Sequence, residues 1–321
     1  MSEATNAPWA TEVGDQVVPE AGARYGFFTD TTVCIGCKAC EVACKEWNNV
    51  PDHFSGFRAN SYDNTGQLGA NAWRHVAFIE QSAAPTVGME WFEQPPSVTV
   101  QGAVEPGGQV GGPPMGGPAG NGAGTDGGLG GIRLLMSSDV CKHCSDAACV
   151  EVCPTGALFY TEFDSVVVQD DICNGCGYCV TACPFGVIER RENDGGAHKC
   201  TLCYDRLKSG MEPACAQACP TDSIAFGELT ELTERAQNRL AHVHPHEPKA
   251  QIYGKDLHGV AGTGALFLLL DDPEHYRLPP DPVTPTRNLA EMWGWAGVAA
   301  GALVTAVVAA LGTAGNGGRR P

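Results

Sequence analysis

The sixteen cysteines fall into four groups of four, and this spacing carries the chemistry of the chain. The groups are Cys34-x2-Cys37-x2-Cys40-x3-Cys44, Cys141-x2-Cys144-x4-Cys149-x3-Cys153, Cys173-x2-Cys176-x2-Cys179-x3-Cys183 and Cys200-x2-Cys203-x11-Cys215-x3-Cys219. Clustered thiols form disulfides in an oxidising compartment and bind soft metals in a reducing one. Met1 to Phe28 has no basic stretch followed by an apolar run, so no secretory signal is expected there and metal binding is favoured. Zinc takes four donors at one tetrahedral ion. A cradle of three close cysteines with a fourth held apart suits it poorly, and no histidine stands in ligand spacing. Groups one and three instead match the run in which three cysteines hold one [4Fe–4S] cluster and the fourth reaches a second cluster. Three thiolates on a tight loop can take three corners of a cube, while the fourth corner faces away from that loop.

This crossover rule sorts the ligands. Groups two and three lie close together and read as one two-cluster unit. Cys141, Cys144, Cys149 and Cys183 are then expected on one cluster, and Cys153, Cys173, Cys176 and Cys179 on another. The remaining groups serve each other, with Cys34, Cys37, Cys40 and Cys219 on a third cluster and Cys44, Cys200, Cys203 and Cys215 on a fourth. The first and last groups must meet in space, so one unit is inserted within the other. With cysteine at all sixteen positions, the expectation is four [4Fe–4S] clusters rather than a three-iron or mixed-ligand centre. Such clusters move single electrons, and no substrate pocket or acid–base pair is legible beside them.

Other residues flank the ligands. Lys38, Lys45, Lys142 and Lys199 could offset cluster charge, although solvated surface lysines are the plainer reading. His143 and His198 read as structural or exposed. Trp47 and Tyr178 read as shields against water rather than as reactive groups.

The elements that must position these ligands begin with a polar N-terminal tail over 1–25. Short runs such as Val76-Ala77-Phe78-Ile79 suggest strands between residues 46 and 100. Fourteen of the thirty residues at 102–131 are glycine and four are proline, so this insertion cannot bury enough surface to offset its ordering entropy and is expected to be flexible. An internal repeat runs through Cys153-Pro-Thr-Gly-Ala-Leu, Cys183-Pro-Phe-Gly-Val-Ile and Cys219-Pro-Thr-Asp-Ser-Ile, each with a turn residue two places after the proline. Leu229, Leu232, Ala236 and Leu240 have helical spacing, and Leu266-Phe267-Leu268-Leu269-Leu270 reads as a strand. Met292 to Ala314 is twenty-three residues without a charge, enough to cross about 30 Å of hydrocarbon, with Trp293 and Trp295 at an interface. A buried core helix is the alternative. Arg277 and Arg287 before it balance Arg319 and Arg320 after it, so positive charge sets no orientation.

The chain of 321 residues has a formal charge of −17. Four clusters with thiolate ligands, at about −2 each, would bring it to roughly −25. Nucleic acid is not a partner for such a surface. Solubility is the plain consequence of the acidity.

Several runs are distinctive: His198-Lys-Cys-Thr-Leu-Cys-Tyr-Asp-Arg206, Glu212-Pro-Ala-Cys215 with Ala218-Cys-Pro-Thr221, Ile252-Tyr-Gly254, and Tyr276-Arg-Leu-Pro-Pro-Asp-Pro282 ahead of the apolar helix. In these the sequence resembles the iron–sulfur (β) subunit of membrane-bound formate dehydrogenase, within the iron–sulfur subunits of molybdopterin oxidoreductases. The likeness spans most of residues 25–315. It implies electrons taken from a catalytic subunit with a bis-molybdopterin guanine dinucleotide centre holding molybdenum or tungsten, and passed to a membrane cytochrome b and quinone. It implies the same crossed ligand sets. It also implies a cell-membrane protein whose cluster domain lies outside the cytoplasm, exported folded with a partner bearing a twin-arginine signal. The 102–131 insertion departs from that family.

The expected fold is α+β, two ferredoxin-like units with a C-terminal transmembrane helix. Its parts are a tail at 1–25, a four-cluster domain at 26–230 containing the insertion, an extension at 231–288, a membrane helix at 289–315 and a basic tail at 316–321. The expected function is electron transfer without formate activity of its own. Two other readings stay open: the electron-transfer subunit of a membrane hydrogenase or sulfur-compound reductase, and a structural zinc-binding membrane adaptor.

Overall fold

The computed structural model describes residues 10–13, 16–19, 23–52, 62–82 and 132–316. The glycine-rich insertion lies outside the described residues. The chain divides into two compact units, Met1–Phe78 with Met136–Pro321 and the smaller Ile79–Leu135. The described residues of the smaller unit are the strand ends at 79–82 and 132–135.

In chain order, β1 (Ala10–Val13) and β2 (Gln16–Pro19) pair antiparallel within the stretch read as a tail. Then come β3 (Tyr25–Asp30), α1 (Ala39–Asn48), β4 (Arg74–Ser82) and β5 (Ile132–Val140), with β4 and β5 forming a two-stranded sheet. The middle of the chain is built from short pieces: α2 (Ala148–Glu151), β6 (Leu158–Tyr160), β7 (Val166–Val168), α3 (Tyr178–Ala182), β8 (Glu189–Arg190), β9 (Ala197–His198), α4 (Tyr204–Lys208) and α5 (Ala214–Gln217). Then follow β10 (Ile224–Glu228), α6 (Leu229–Val243), β11 (Gln251–Tyr253), β12 (Ala265–Leu269) and α7 (Leu289–Asn316).

The main sheet has the order β10-β3-β12-β11, with β3 and β12 parallel and the outer pairs antiparallel. Its two central strands are buried at every position, so both faces must be covered. Alternation along the strands divides the work. Phe28, Leu266 and Leu268 join Leu232, Ala236 and Val243 of α6 in one core cluster. The apolar residues of α6 fall on one stripe because they recur at three- and four-residue spacing. Phe27 and Phe267 point the other way and carry cations over their rings: the Arg74 guanidinium at 4.6 Å from Phe27 and the Lys142 ammonium at 4.9 Å from Phe267. The sheet therefore has an oily face towards α6 and a face that meets buried charge.

The strand expected at 76–79 lies in β4, that at 266–270 in β12 up to Leu269, and the helical spacing from Leu229 to Leu240 in α6. The α+β class also agrees with the expectation. A stretch of α7, Leu289–Leu311, is long and apolar enough to cross a membrane, and none of its most apolar window is buried. Its exposed Trp293 and Trp295 stand at its start. This exposure removes the alternative of a buried core helix.

Candidate metal centres

Strand register explains why the first and last cysteine groups meet. In the antiparallel β3–β10 pair, Thr29 lies opposite Ile224, and Asp30 N–H donates to Ser223 O at 2.7 Å. The chain leaving β3 towards Cys34 and the chain arriving from Cys219 therefore run together at one end of the sheet. Next to them α1, carrying Cys40 and Cys44, packs against α5, carrying Cys215. In the middle of the chain α2 packs on α3, which brings groups two and three together.

The thiols converge in four places. Cys34, Cys37, Cys40 and Cys219 line one cavity. Cys141, Cys144, Cys149 and Cys183 line another. Burial raises the Cys44 thiol well above its ordinary range, and the next contributions are the charges of Cys200, Cys215 and Cys203. Burial raises Cys179 to about 11, followed by the charges of Cys173, Cys176 and Cys153. Each gathering thus takes thiols from two cysteine groups.

A common loop geometry underlies this convergence. The residue two places after the first cysteine of each group has positive φ: Gly36 at 65°, His143 at 44°, Gly175 at 68° and Leu202 at 58°. This left-handed step turns the chain back around the site. For His143 and Leu202 it costs about 1–2 kcal/mol against a right-handed conformation. The turn residues of the Cys-Pro repeat, Gly156, Gly186 and Asp222, also have positive φ. That turn aims backbone N–H groups at the sulfur. Against the slight burial that would raise it, the Leu158 N–H, the Thr155 hydroxyl and the N–H groups of Thr155 and Ala157 pull Cys153 below its usual value, and the N–H groups of Val187, Phe185 and Gly186 partly offset the burial that raises Cys183. Hydrogen bonds to the charged form favour a thiolate. The turn therefore favours negative sulfur at Cys153 and eases the burial of Cys183.

Most of the other thiols are buried far enough that the proton stays on. Burial pushes Cys40, Cys149 and Cys200 to about 12, and Cys203 to about 11. A coordinating metal replaces that proton, so loading and folding are coupled. The donor sets suit a soft iron–sulfur centre: each of the two lined cavities offers four sulfurs and no carboxylate. The packing around Cys144, Cys149, Cys153, Cys173 and Cys183 is a small apolar cluster that includes Ala147, Leu158, Val166, Ile188 and Ala197. So small a core leaves much of the cohesion to what the sulfurs hold.

Charge couples the sets in succession. Cys215 is among the charges acting on Cys40, Cys141 on Cys200, and Cys179 on Cys149. Among the sixteen, only Cys37 and Cys176 are exposed, and they belong to the two end sets.

A family model described as a 4Fe–4S dicluster domain matches residues 132–229. The iron–sulfur subunit of the nitrate-inducible formate dehydrogenase of Escherichia coli is 34% identical over 258 residues, covering 79% of this chain and 71% of the relative. The chain belongs to the family of formate dehydrogenase iron–sulfur subunits. The formate dehydrogenase iron–sulfur subunit of Haemophilus influenzae is 33% identical over 79% of this chain and 68% of its own length. The B subunit of the anaerobic dimethyl sulfoxide reductase of Escherichia coli is 31% identical over 69% of this chain and 82% of its own length. This iron–sulfur subunit is accordingly an electron-transfer protein of the formate dehydrogenase and dimethyl sulfoxide reductase type, and its cysteines serve iron–sulfur clusters.

In this iron–sulfur subunit the surface reading of the lysines fails for two of the four. Lys142 and Lys199 are each 1% exposed. Lys142 reaches Asp139 and Val140 O, while Lys199 donates to Val166 O and, at 2.8 Å, to Cys200 O. His143 and His198 are buried and structural, His143 accepting from Val166 N–H at 3.1 Å and His198 meeting Asp194 at 3.0 Å. Trp47 and Tyr178 are exposed. Trp47 stacks under Arg206 at 4.2 Å and donates to Asp205 at 2.8 Å.

Two residues beside the sites had no signal in cysteine spacing. Glu41 is buried and holds Val76 N–H at 2.5 Å, Thr65 Oγ1 at 2.7 Å and Lys38 at 3.4 Å. Arg74 donates to Cys215 Sγ at 3.0 Å and to Ser138 O at 3.3 Å. The alternation of β4 could have pointed to Arg74, since it shares a face with Val76.

Proposed function

We propose that this subunit relays single electrons through four [4Fe–4S] clusters, from a formate-oxidising molybdopterin subunit to a membrane cytochrome b and quinone. Support for this reading comes from two cavities each lined by four thiols, and from the nearness in charge of Cys200, Cys203 and Cys215 to Cys44 and of Cys153, Cys173 and Cys176 to Cys179. Cys34, Cys37, Cys40 and Cys219 would hold the first cluster, and Cys44, Cys200, Cys203 and Cys215 the second. Cys141, Cys144, Cys149 and Cys183 would hold the third, and Cys153, Cys173, Cys176 and Cys179 the fourth. A bound cluster supplies a one-electron couple whose potential depends on hydrogen bonds, charge and burial.

The chain's own residues do the rest. They present sulfur at fixed places, bury all four thiols of the Cys44 set, and leave the end sites open at Cys37 and Cys176. Ile35 lies exposed beside Cys37, and Ile172 and Tyr178 beside Cys176, so each end offers an apolar collar to a partner subunit. The exposed apolar helix α7 supports anchorage in a membrane. Placement of the cluster domain outside the cytoplasm rests on the family resemblance.

The test is the isolated chain against the co-purified complex. The isolated chain should carry about sixteen irons and sixteen sulfides, four of each per cluster. Formate should bleach its absorbance near 400 nm only when the catalytic subunit is present. Bleaching by formate in the isolated chain would refute the reading. The relation to the dimethyl sulfoxide reductase B subunit favours a sulfur-compound reductase as the second reading. Reoxidation of the reduced complex by a sulfoxide, with no response to formate, would select it. Protease accessibility of the cluster domain in spheroplasts reads the membrane side.

A further inference from the structure

Arg74 is 2% exposed and among the largest fully buried side chains of the subunit. Its guanidinium lies over the Phe27 ring, with one amino group on Cys215 Sγ and the other on Ser138 O. Among the described residues no carboxylate is paired with it, and its Nε has no hydrogen-bond partner. A lone buried guanidinium is among the costliest groups a protein can carry, because burial removes its hydration without return. Burial alone would lower its pKa, yet Cys215 and Cys40 together hold it above its ordinary value. Those two sulfurs belong to different sets. Ser138, whose carbonyl holds Arg74, also places its hydroxyl 3.2 Å from Cys40 Sγ. The cation is therefore wedged between two neighbouring cysteine sets, and its counter-charge is sulfur.

We propose that Arg74 is a positioning residue for electron transfer, the shared buried counter-cation of the two sites built on Cys40 and Cys215, raising the reduction potential of both. The inference rests on the ligand sets proposed above. Adding an electron makes a site more negative, and a fixed positive charge beside it favours that reduced state. Lying between two sites, Arg74 lifts both together, which keeps the step between them shallow while lowering the cost of reducing either. Arginine suits this place because its charge persists in the interior and its planar fork can serve two sides at once.

The experiment is an EPR-monitored redox titration of the loaded subunit and of Arg74→Gln and Arg74→Lys. Iron content of the wild type reads the ligand sets; a count near eight in place of about sixteen would overturn those sets and the two sites with them, whereas potentials that ignore Arg74 at full iron content would overturn the proposal alone. With iron intact, Arg74→Gln should lower the reduction equilibrium constants of two clusters by about tenfold, equivalent to about 59 mV for one electron, and leave the other two unchanged. Arg74→Lys should stay close to the wild type. Unchanged potentials in Arg74→Gln, or an equal fall in all four clusters, would overturn the proposal. If Arg74→Gln does not retain iron, wild-type subunit labelled with guanidinium-15N arginine decides. A nitrogen hyperfine coupling should appear on reduction and vanish in Arg74→Lys, and its absence from the wild type would overturn the assignment.

Discussion

Cys40 and Cys44 lie one turn apart on α1, yet they face different sulfur sets. This makes paired substitutions informative. Replacing Cys44 and Cys215 by alanine removes two ligands from one set, so one cluster should be lost and iron should fall from about sixteen to about twelve per chain. Replacing Cys40 and Cys44 removes one ligand from each of two sets, so two clusters should be lost and iron should fall to about eight. Alanine is the right replacement because it offers no oxygen in place of sulfur. The assay is iron and acid-labile sulfide per chain after anaerobic reconstitution, with EPR spin counts on the reduced protein. The Cys153 and Cys173 pair is a control, because those thiols are only partly buried and losing their cluster should disturb the fold least. Equal iron loss from the Cys40/Cys44 and Cys44/Cys215 pairs would refute the crossed arrangement. So would a loss that follows the order of cysteines along the chain.

Four further outcomes follow from local geometry. A Cβ at Gly26 would run into the carbonyl of Gly264 where β3 passes close to β12, so Gly26→Ala should cost about 3 kcal/mol or more in urea unfolding. Ala261 is exposed with φ of 53°, a left-handed conformation that glycine adopts freely, so Ala261→Gly should raise stability by about 0.5–1 kcal/mol by the same measurement. Asp63 loses something to burial, but the hydrogen bond from His75 and the Gly66 N–H outweigh it and hold its carboxyl below the ordinary range. Its folded-state pKa is thus depressed, so its contribution is present above the unfolded carboxylate value near 3.9 and is lost as pH falls through the lower folded value; Asp63→Asn should lower the urea midpoint at pH 6, and the difference from the wild type should shrink on acidification. Chelation of iron under anaerobic conditions should leave buried thiols protonated and poorly packed, and it should remove the cooperative thermal transition along with the near-UV dichroism.

The sequence alone determined the ligand groups, because cluster chemistry demands close cysteines on short loops and such spacing is local. Local rules also made α6, the strand at Leu266 and the exposed apolar helix legible, through side-chain periods of 3.6 and 2.0 and through length. The turn residues Gly156, Gly186 and Asp222 were marked by the proline repeat, although the aiming of N–H groups at Cys153 and Cys183 appeared only in three dimensions. Tertiary structure decided what surrounds the sulfurs. Lys142 and Lys199 read as surface residues because lysine is seldom buried, and only the covering by distant segments takes them out of water. Arg74 reaches Cys215 across 141 positions of chain. No local pattern encodes such a contact: whether a cation stays buried depends on the summed charge and packing of every segment that folds around it.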